Sequence, residues 1–307
     1  MRNGISLRLL AVASGLILMA LSTAGAVPEG RVGAFTVLEL DGVAVGYVDA
    51  LQVSTPDTGF LVDKKGLSRD VANLHANEIT FQIGAAMSKP MYDWIKASMD
   101  RAGTGGRKDG AIIYADFNRR ELSRLEFQNA LLAEVDMPAL DAASTADAKM
   151  TIKIRPETTS RSFAHAGSTM SQRQQKTWHS SNFRLELGGL PLRTDALGGT
   201  QPPMLNPVLD PPAVQYASVI FNPKEYSLFI DWQQALYCSG LPQESSERAC
   251  TFTYLDPDGA TLFTTSFVST GLFKLTPNTD ATGAVVSYTA QLYVTGGGSF
   301  DASPQTP

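Results

Sequence analysis

Apolar and polar residues alternate in short runs along most of the chain. Phe35-Thr-Val-Leu-Glu-Leu, Ile79-Thr-Phe-Gln-Ile, Ala111-Ile-Ile-Tyr-Ala and Met150-Thr-Ile-Lys-Ile all fit this pattern, which predicts half-buried strands. One segment has a different period. Lys89 to Met99 sets Met91, Trp94, Ile95 and Met99 at helical spacing, with Pro90 in the first turn and Gly103-Thr-Gly-Gly beyond the end. Residues 158–180 are rich in Ser, Thr and Gln and hold no acid, the composition of a linker.

Past residue 180 the pattern starts again. Phe183-Arg-Leu-Glu-Leu-Gly-Gly echoes Phe35-Thr-Val-Leu-Glu-Leu-Asp-Gly, and Ile230-Asp231-Trp232 echoes Tyr92-Asp93-Trp94. Thr253-Tyr-Leu-Asp echoes Ile113-Tyr-Ala-Asp, Phe267 matches Phe127, and Leu272 matches Leu132. The later matches keep an offset of 138 to 140 and the first is offset by 148, with the extra length in the Pro-rich stretch from Gln201 to Pro212. Matches in a shared order predict a tandem duplication. The expected organisation is a leader at 1–26, a first domain at 27–157, a linker at 158–180, a second domain at 181–301 and a tail at 302–307. The fold class is mainly β (α+β), each domain a β-barrel or sandwich with one inserted helix. Phe35, Trp94 and Phe127 are the expected core anchors of the first domain, and Phe183, Trp232 and Phe267 those of the second.

The first 26 residues read as a secretory signal. Arg2 and Arg8 precede the uncharged apolar run Leu9 to Leu21, and Ala24-Gly25-Ala26 supplies small residues for cleavage between Ala26 and Val27. The expected location is therefore exported, periplasmic or extracellular, with no stable membrane anchor after cleavage. Export also changes the reading of Cys238 and Cys250, the only cysteines, which flank a polar stretch of 11 residues. An oxidising compartment predicts a disulfide between them.

The formal charge of −5 argues against a general nucleic-acid binder, which needs a basic face. Residues 33–157 carry 14 basic and 18 acidic side chains, and residues 181–307 carry 5 and 11, so both halves are acidic. The chain has no G-x-S-x-G elbow, phosphate-binding loop, H-E-x-x-H motif or calcium loop. His75 stands alone, and His165 and His179 lie 14 apart, without metal-ligand spacing. Asp93 and Asp231 recur beside Trp, where capping or hydrogen bonding at the helix is their expected role. The reading is of a protein that is not an enzyme, with no cofactor, metal or catalytic residue.

With these motifs in place, the chain resembles the phage tail-tube-like proteins, a family spanning contractile tails, extracellular contractile injection particles and, more distantly, the tube of type VI secretion. The resemblance rests on Gly84-Ala-Ala-Met-Ser-Lys-Pro-Met-Tyr-Asp-Trp-Ile-Lys and Lys108-Asp-Gly-Ala-Ile-Ile-Tyr-Ala-Asp-Phe-Asn. It continues in Arg124-Leu-Glu-Phe-Gln-Asn-Ala-Leu-Leu-Ala-Glu-Val and Pro138-Ala-Leu-Asp-Ala-Ala-Ser. In the second half it runs through Lys176-Thr-Trp-His-Ser-Ser-Asn-Phe-Arg-Leu-Glu-Leu, Thr270-Gly-Leu-Phe-Lys-Leu-Thr-Pro and Ala290-Gln-Leu-Tyr-Val. The resemblance implies a structural, self-assembling ring or tube component whose partners are copies of itself, as a trimer or hexamer ring, and other tube or baseplate components. Tube proteins of this kind usually assemble in the cytoplasm, so the leader and the cysteine pair imply a member adapted to an oxidising compartment. The alternative is a secreted, non-catalytic β-rich binding module for a polymer or cell-surface partner.

Overall fold

A computed structural model describes residues 35–54, 58–62, 69–74, 78–100, 106–163, 178–193, 196–207, 214–238, 244–295 and 298–302. The predicted leader, its cleavage site at Ala26 and Val27, His75, His165 and residues 303–307 of the predicted tail lie outside the described residues.

The first half contributes β1 (Phe35–Leu40), β2 (Val43–Val53), β3 (Thr58–Val62), β4 (Arg69–Leu74), β5 (Ile79–Ile83), the helix α1 (Lys89–Met99), β6 (Lys108–Ala115), β7 (Glu121–Asp136), β8 (Leu140–Asp141), β9 (Met150–Arg155) and β10 (Thr158–Phe163). The second contributes β11 (Phe183–Leu187), β12 (Leu197–Gln201), β13 (Gln215–Phe221), the helix α2 (Tyr226–Tyr237), β14 (Arg248–Leu255), β15 (Thr261–Thr279), β16 (Val285–Val294) and β17 (Gly298–Ala302). The protein is mainly β, with two barrel-like sheets.

The first sheet runs β10-β7-β6-β1-β2-β5-β9, and β9 pairs back onto β7 to close a barrel. Strand β7 serves both ends because it bends. Its first part pairs with β6 and its last six residues pair with β9. At the bend Asn129 takes φ 53, a left-handed conformation that Asn tolerates better than most residues. Its N–H donates to Asp109 Oδ1 at 2.7 Å, and Arg107 donates to its carbonyl at 2.9 Å.

The second sheet runs β11-β14-β15-β16-β13-β12-β8, with β17 on β15. Its registers repeat those of the first. Phe127 faces Gly110 and Phe267 faces Cys250, an offset of 140. Ile83 faces Val48 and Met150, as Phe221 faces Leu197 and Tyr288, an offset of 138. β17 is the counterpart of β10, since Gly298 faces Phe267 as Thr159 faces Phe127.

The first strand corrects the sequence alignment. Leu40 pairs with Gly110 and Leu187 with Cys250, so Leu40 matches Leu187 and the true offset is 147. Phe183 therefore takes the place of Thr36, not of Phe35. Phe35 is half-buried rather than core, its ring 5.9 Å from Tyr47 and 6.4 Å from Phe117. Trp94, Phe127, Phe183, Trp232 and Phe267 are buried.

The two sheets differ at one seam. β1 and β2 pair directly, whereas β11 and β12 do not. The first half fills that opening. Leu140 and Asp141 pair with Thr200 and Gly199 of β12. On the far side Asp141 N–H donates to Ser180 O at 3.1 Å and Ala148 N–H to Trp178 O at 2.8 Å, while Ser180 N–H donates back to Ala146 O at 3.1 Å. Residues 140–148 thus link β12 to the segment 178–180 that leads into β11, and the buried side chains of both halves join in one core.

The linker expected over 158–180 is also corrected at both ends. Thr158–Phe163 form β10, and Trp178 is buried against Tyr254 and Phe263. β10 escaped the alternation test because it has no buried face of its own.

Candidate functional site

The two helices mark where the halves meet and where each is open. α1 is amphipathic on two faces. Met91, Tyr92, Trp94, Ile95 and Met99 are all buried, and the helix packs on β2 and β7 of its own half and on β17 of the other. The second face is covered by the other half of the chain. Tyr92 lies 6.0 Å from both Phe263 and Phe300, stacked on Phe300 at 25°. Its hydroxyl donates to Ala85 O at 2.7 Å, and burial pushes its pKa up. Phe300 stacks in turn on Phe263 at 5.2 Å, and Tyr254 on Phe263 at 4.3 Å. At the rim Lys96 donates to Asp301, and that bond holds the ammonium pKa above its ordinary value.

α2 occupies the matching place in the second half. The offset of 138 from the adjoining strands makes Ile230, Gln233 and Tyr237 the matches of Tyr92, Ile95 and Met99. These three are only half-buried, and Gln234, matching Lys96, is exposed. The buried face of α2 is Phe229, Trp232 and Leu236. Phe229 stacks on Phe221 at 3.9 Å, Trp232 Nε1–H donates to Ser246 O at 3.0 Å, and the Arg248 guanidinium lies 5.6 Å over the Trp232 ring. On the open side Gln233, Gln234, Tyr237, Cys238 and Phe273 line a groove of about 580 Å³.

The residues expected to carry chemistry do not converge. Asp93 pairs with Lys89 at 2.6 Å, one turn earlier on the same helix, and Asp231 is exposed. His179 lies 3.3 Å from Asp147, at the seam between the halves. Arg124 pairs with Glu121 at 2.7 Å and lies 3.6 Å from Glu39; both interactions favour its charged form. Asp136 is the one carboxyl with a clearly raised pKa among the described residues, through partial burial and then Glu134. Among the described residues no group of three His, Cys, Asp or Glu could hold a metal ion, and no helix is long and apolar enough to cross a membrane.

The predicted disulfide is corrected. Cys238 and Cys250 are free thiols, Cys238 exposed at the end of α2 and Cys250 buried on β14. Cys250 sits at the register of Gly110 and faces the core beside Phe267, so burial pushes its thiol pKa up.

Sequence reading missed the covered face of α1, the cluster around Phe263 and Phe300, and the bridge at residues 140–148. A usable signal was the width of the apolar stripe in α1, which adds Tyr92 to Met91, Trp94, Ile95 and Met99. A helix apolar over more than one face is covered on more than one side.

No protein-family profile matches the chain, and no curated protein matches it. Among solved structures it is similar to the anti-feeding prophage cap, a tube-terminating cap seen by cryo-EM, at 20% identity and a TM-score of 0.35, covering 48% of this chain and 100% of that one. It is also similar to the sheath/tube terminator of an extracellular contractile injection system in its extended state, at 19% identity and a TM-score of 0.32, covering 46% of this chain and 99% of that one. At these TM-scores neither likeness bears on function.

Proposed function

We propose that the protein is an exported, non-catalytic structural component that assembles with copies of itself into rings or a tube. The observation that carries this reading is the contact inside the chain. Two halves of one pattern are joined by a helix of the first packed on an edge strand of the second, so the fold already contains the two complementary parts of a head-to-tail interface. The sequence resemblance to tail-tube-like proteins supports the same reading, as do edge strands that gain from being covered. Three chains would supply six barrels to one ring, and six chains a two-tiered ring. Other tube or baseplate components are the further partners this role implies.

Protein recovered from the exported fraction should begin at Val27. Mass photometry and sedimentation across protein and salt concentration should show a discrete closed oligomer. Both halves are acidic, so assembly should strengthen as salt shortens their repulsion to about 8 Å at physiological ionic strength. Recovery of the chain only from the cytosolic fraction, with Met1 intact, would exclude export. A strict monomer at high protein and high salt would exclude assembly and favour the binding-module reading.

A further inference from the structure

The open face of α2 lacks what the covered face of α1 has. Tyr92, Ile95 and Met99 of α1 are 0%, 0% and 9% exposed; α1 packs on β17 of the second half, with Phe263 and Phe300 against Tyr92. Among the described residues α2 packs on β15 and on the short turns Pro223–Glu225 and Glu244–Ser246, and no strand packs on it as β17 packs on α1. The groove beside Tyr237 and Phe273 is what remains uncovered, and the Tyr216 ring, 5.8 Å from Phe273 and exposed, extends its apolar surface.

The chain also holds an unused copy of the covering element. β10 matches β17 residue for residue, from Thr159 with Gly298 to Phe163 with Ala302. Its outer side is free of any helix among the described residues, and it ends in Phe163, 79% exposed, on the same half as Phe117 at 81%.

The substitutions at the rim of the two contacts are matched, while at the centre Arg161 stands where β17 has Phe300 and Ile230 where α1 has Tyr92. Inside the chain Lys96 meets Asp301, an acid–base pair. At the corresponding positions α2 has Gln234 and β10 has Ser162, an amide and a hydroxyl that can hydrogen-bond. Had one side kept its charge alone, it would have been left without a partner. Of the remaining charges, β10 carries the basic Arg161, while α2 carries the acidic Asp231 and follows Lys224 and Glu225.

We infer that α2 and its groove receive the β10 edge of a second copy of this chain, repeating between chains the contact that α1 and β17 make within one. This rests on the self-assembly reading above and specifies its interface. The contact is heterologous, so each chain offers one α2 and one β10 and the assembly propagates until it closes. It is also narrower than the internal contact. β1 and β2 pair directly, so the first sheet has no opening for a counterpart of residues 140–148.

The test is cross-linking of the full exported chain in a Cys238→Ser background; buried Cys250 stays unreactive. The Gln234→Cys, Ser162→Cys double variant, treated with a short bifunctional thiol cross-linker, should give a ladder of covalent oligomers ending at the ring size. Each single variant alone should stay monomeric on a denaturing gel, and an equal mixture of the two singles should stop at a covalent dimer. Phe163→Glu should raise the concentration for half-assembly about tenfold or more with an unchanged circular dichroism spectrum. Oligomers by mass photometry without a ladder would overturn this interface and leave self-assembly standing. A ladder from either single variant would overturn the head-to-tail arrangement. A monomer under all conditions would remove both.

Discussion

α1 and α2 follow matching strands, carry the same Asp-Trp pair and anchor a Trp in their own half, yet α1 is buried on two faces and α2 on one. The difference lies in what each helix is given to touch. α1 meets β17 of the second barrel, whereas among the described residues α2 meets only β15 and two short turns of its own half. The side chains follow that circumstance: Tyr92, Ile95 and Met99 against Ile230, Gln233 and Tyr237. The burial of a helix is thus set by its neighbour as much as by its own barrel.

The most forceful way to break the comparison is to truncate matching residues. Tyr92→Ala should cost about 3–5 kcal/mol, because it removes a fully buried ring, its contacts with Phe263 and Phe300, and the bond to Ala85 O. Ile230→Ala should cost only about 1 kcal/mol in the unassembled chain, its side chain being half in water already. Urea unfolding at a protein concentration below assembly measures both. Equal losses would mean that α2 is covered within its own chain.

A smaller effect sharpens the comparison of the barrels. Phe127 sits between Gly110 and Thr159, and Phe267 between Cys250 and Gly298. Each ring thus has one glycine beside it, on opposite sides in the two halves. A Cβ at Gly110 would clash with Glu39 O and come 2.5 Å from Phe127 Cζ, and one at Gly298 would come 2.6 Å from Phe267 Cε1. Gly110→Ala should therefore cost about 1–3 kcal/mol by overpacking. In the second half Cys250→Gly and Gly298→Thr should each destabilise, and the double variant should lose less than their sum, since the ring can shift toward the vacated side. Strict additivity would show that the two glycines are unrelated accidents.

How far the chain was readable follows from which forces act locally. The mainly β character showed in the alternation, because a strand with one face on a core writes that face into its sequence. The repeat showed in Phe127, Phe267 and the two Asp-Trp pairs, whose offsets of 138 and 140 are those of the strand registers. Phe35 was misplaced because identity of residue type outweighed register, and a shift of one residue turns a strand over. The linker hid a strand because β10 lies on an outer edge. The bridge at residues 140–148 depends on partners about 30 to 60 residues away, and the second face of α1 on partners more than 100 residues away, such as Asp301 for Lys96, and nothing local encodes them. The cysteines misled because the polar stretch between them says nothing about which way Cys250 points.

The smallest predicted effect concerns the rim of the internal contact, where Lys96 pairs with Asp301 and their matches Gln234 and Ser162 carry no charge. The side chains are 45% and 56% exposed, so water screens the pair and its contribution should be about 0.5 kcal/mol. The hydrogen bond to Asp301 raises the Lys96 pKa in the folded chain. A lysine raised on folding contributes stability that is fully present below its unfolded pKa of about 10.4 and lost as pH rises through the higher folded value. A double-mutant cycle of Lys96→Ala and Asp301→Ala should therefore give a small coupling at pH 7 that fades above about pH 10.4 and in high salt. The same cycle on Gln234 and Ser162, read as assembly rather than unfolding, should show no fading with salt, since neither partner is charged. A coupling between Lys96 and Asp301 that survives high salt undiminished would mean that the pair is better shielded than its exposure indicates, and the contrast between a charged inner rim and a neutral outer one would fall.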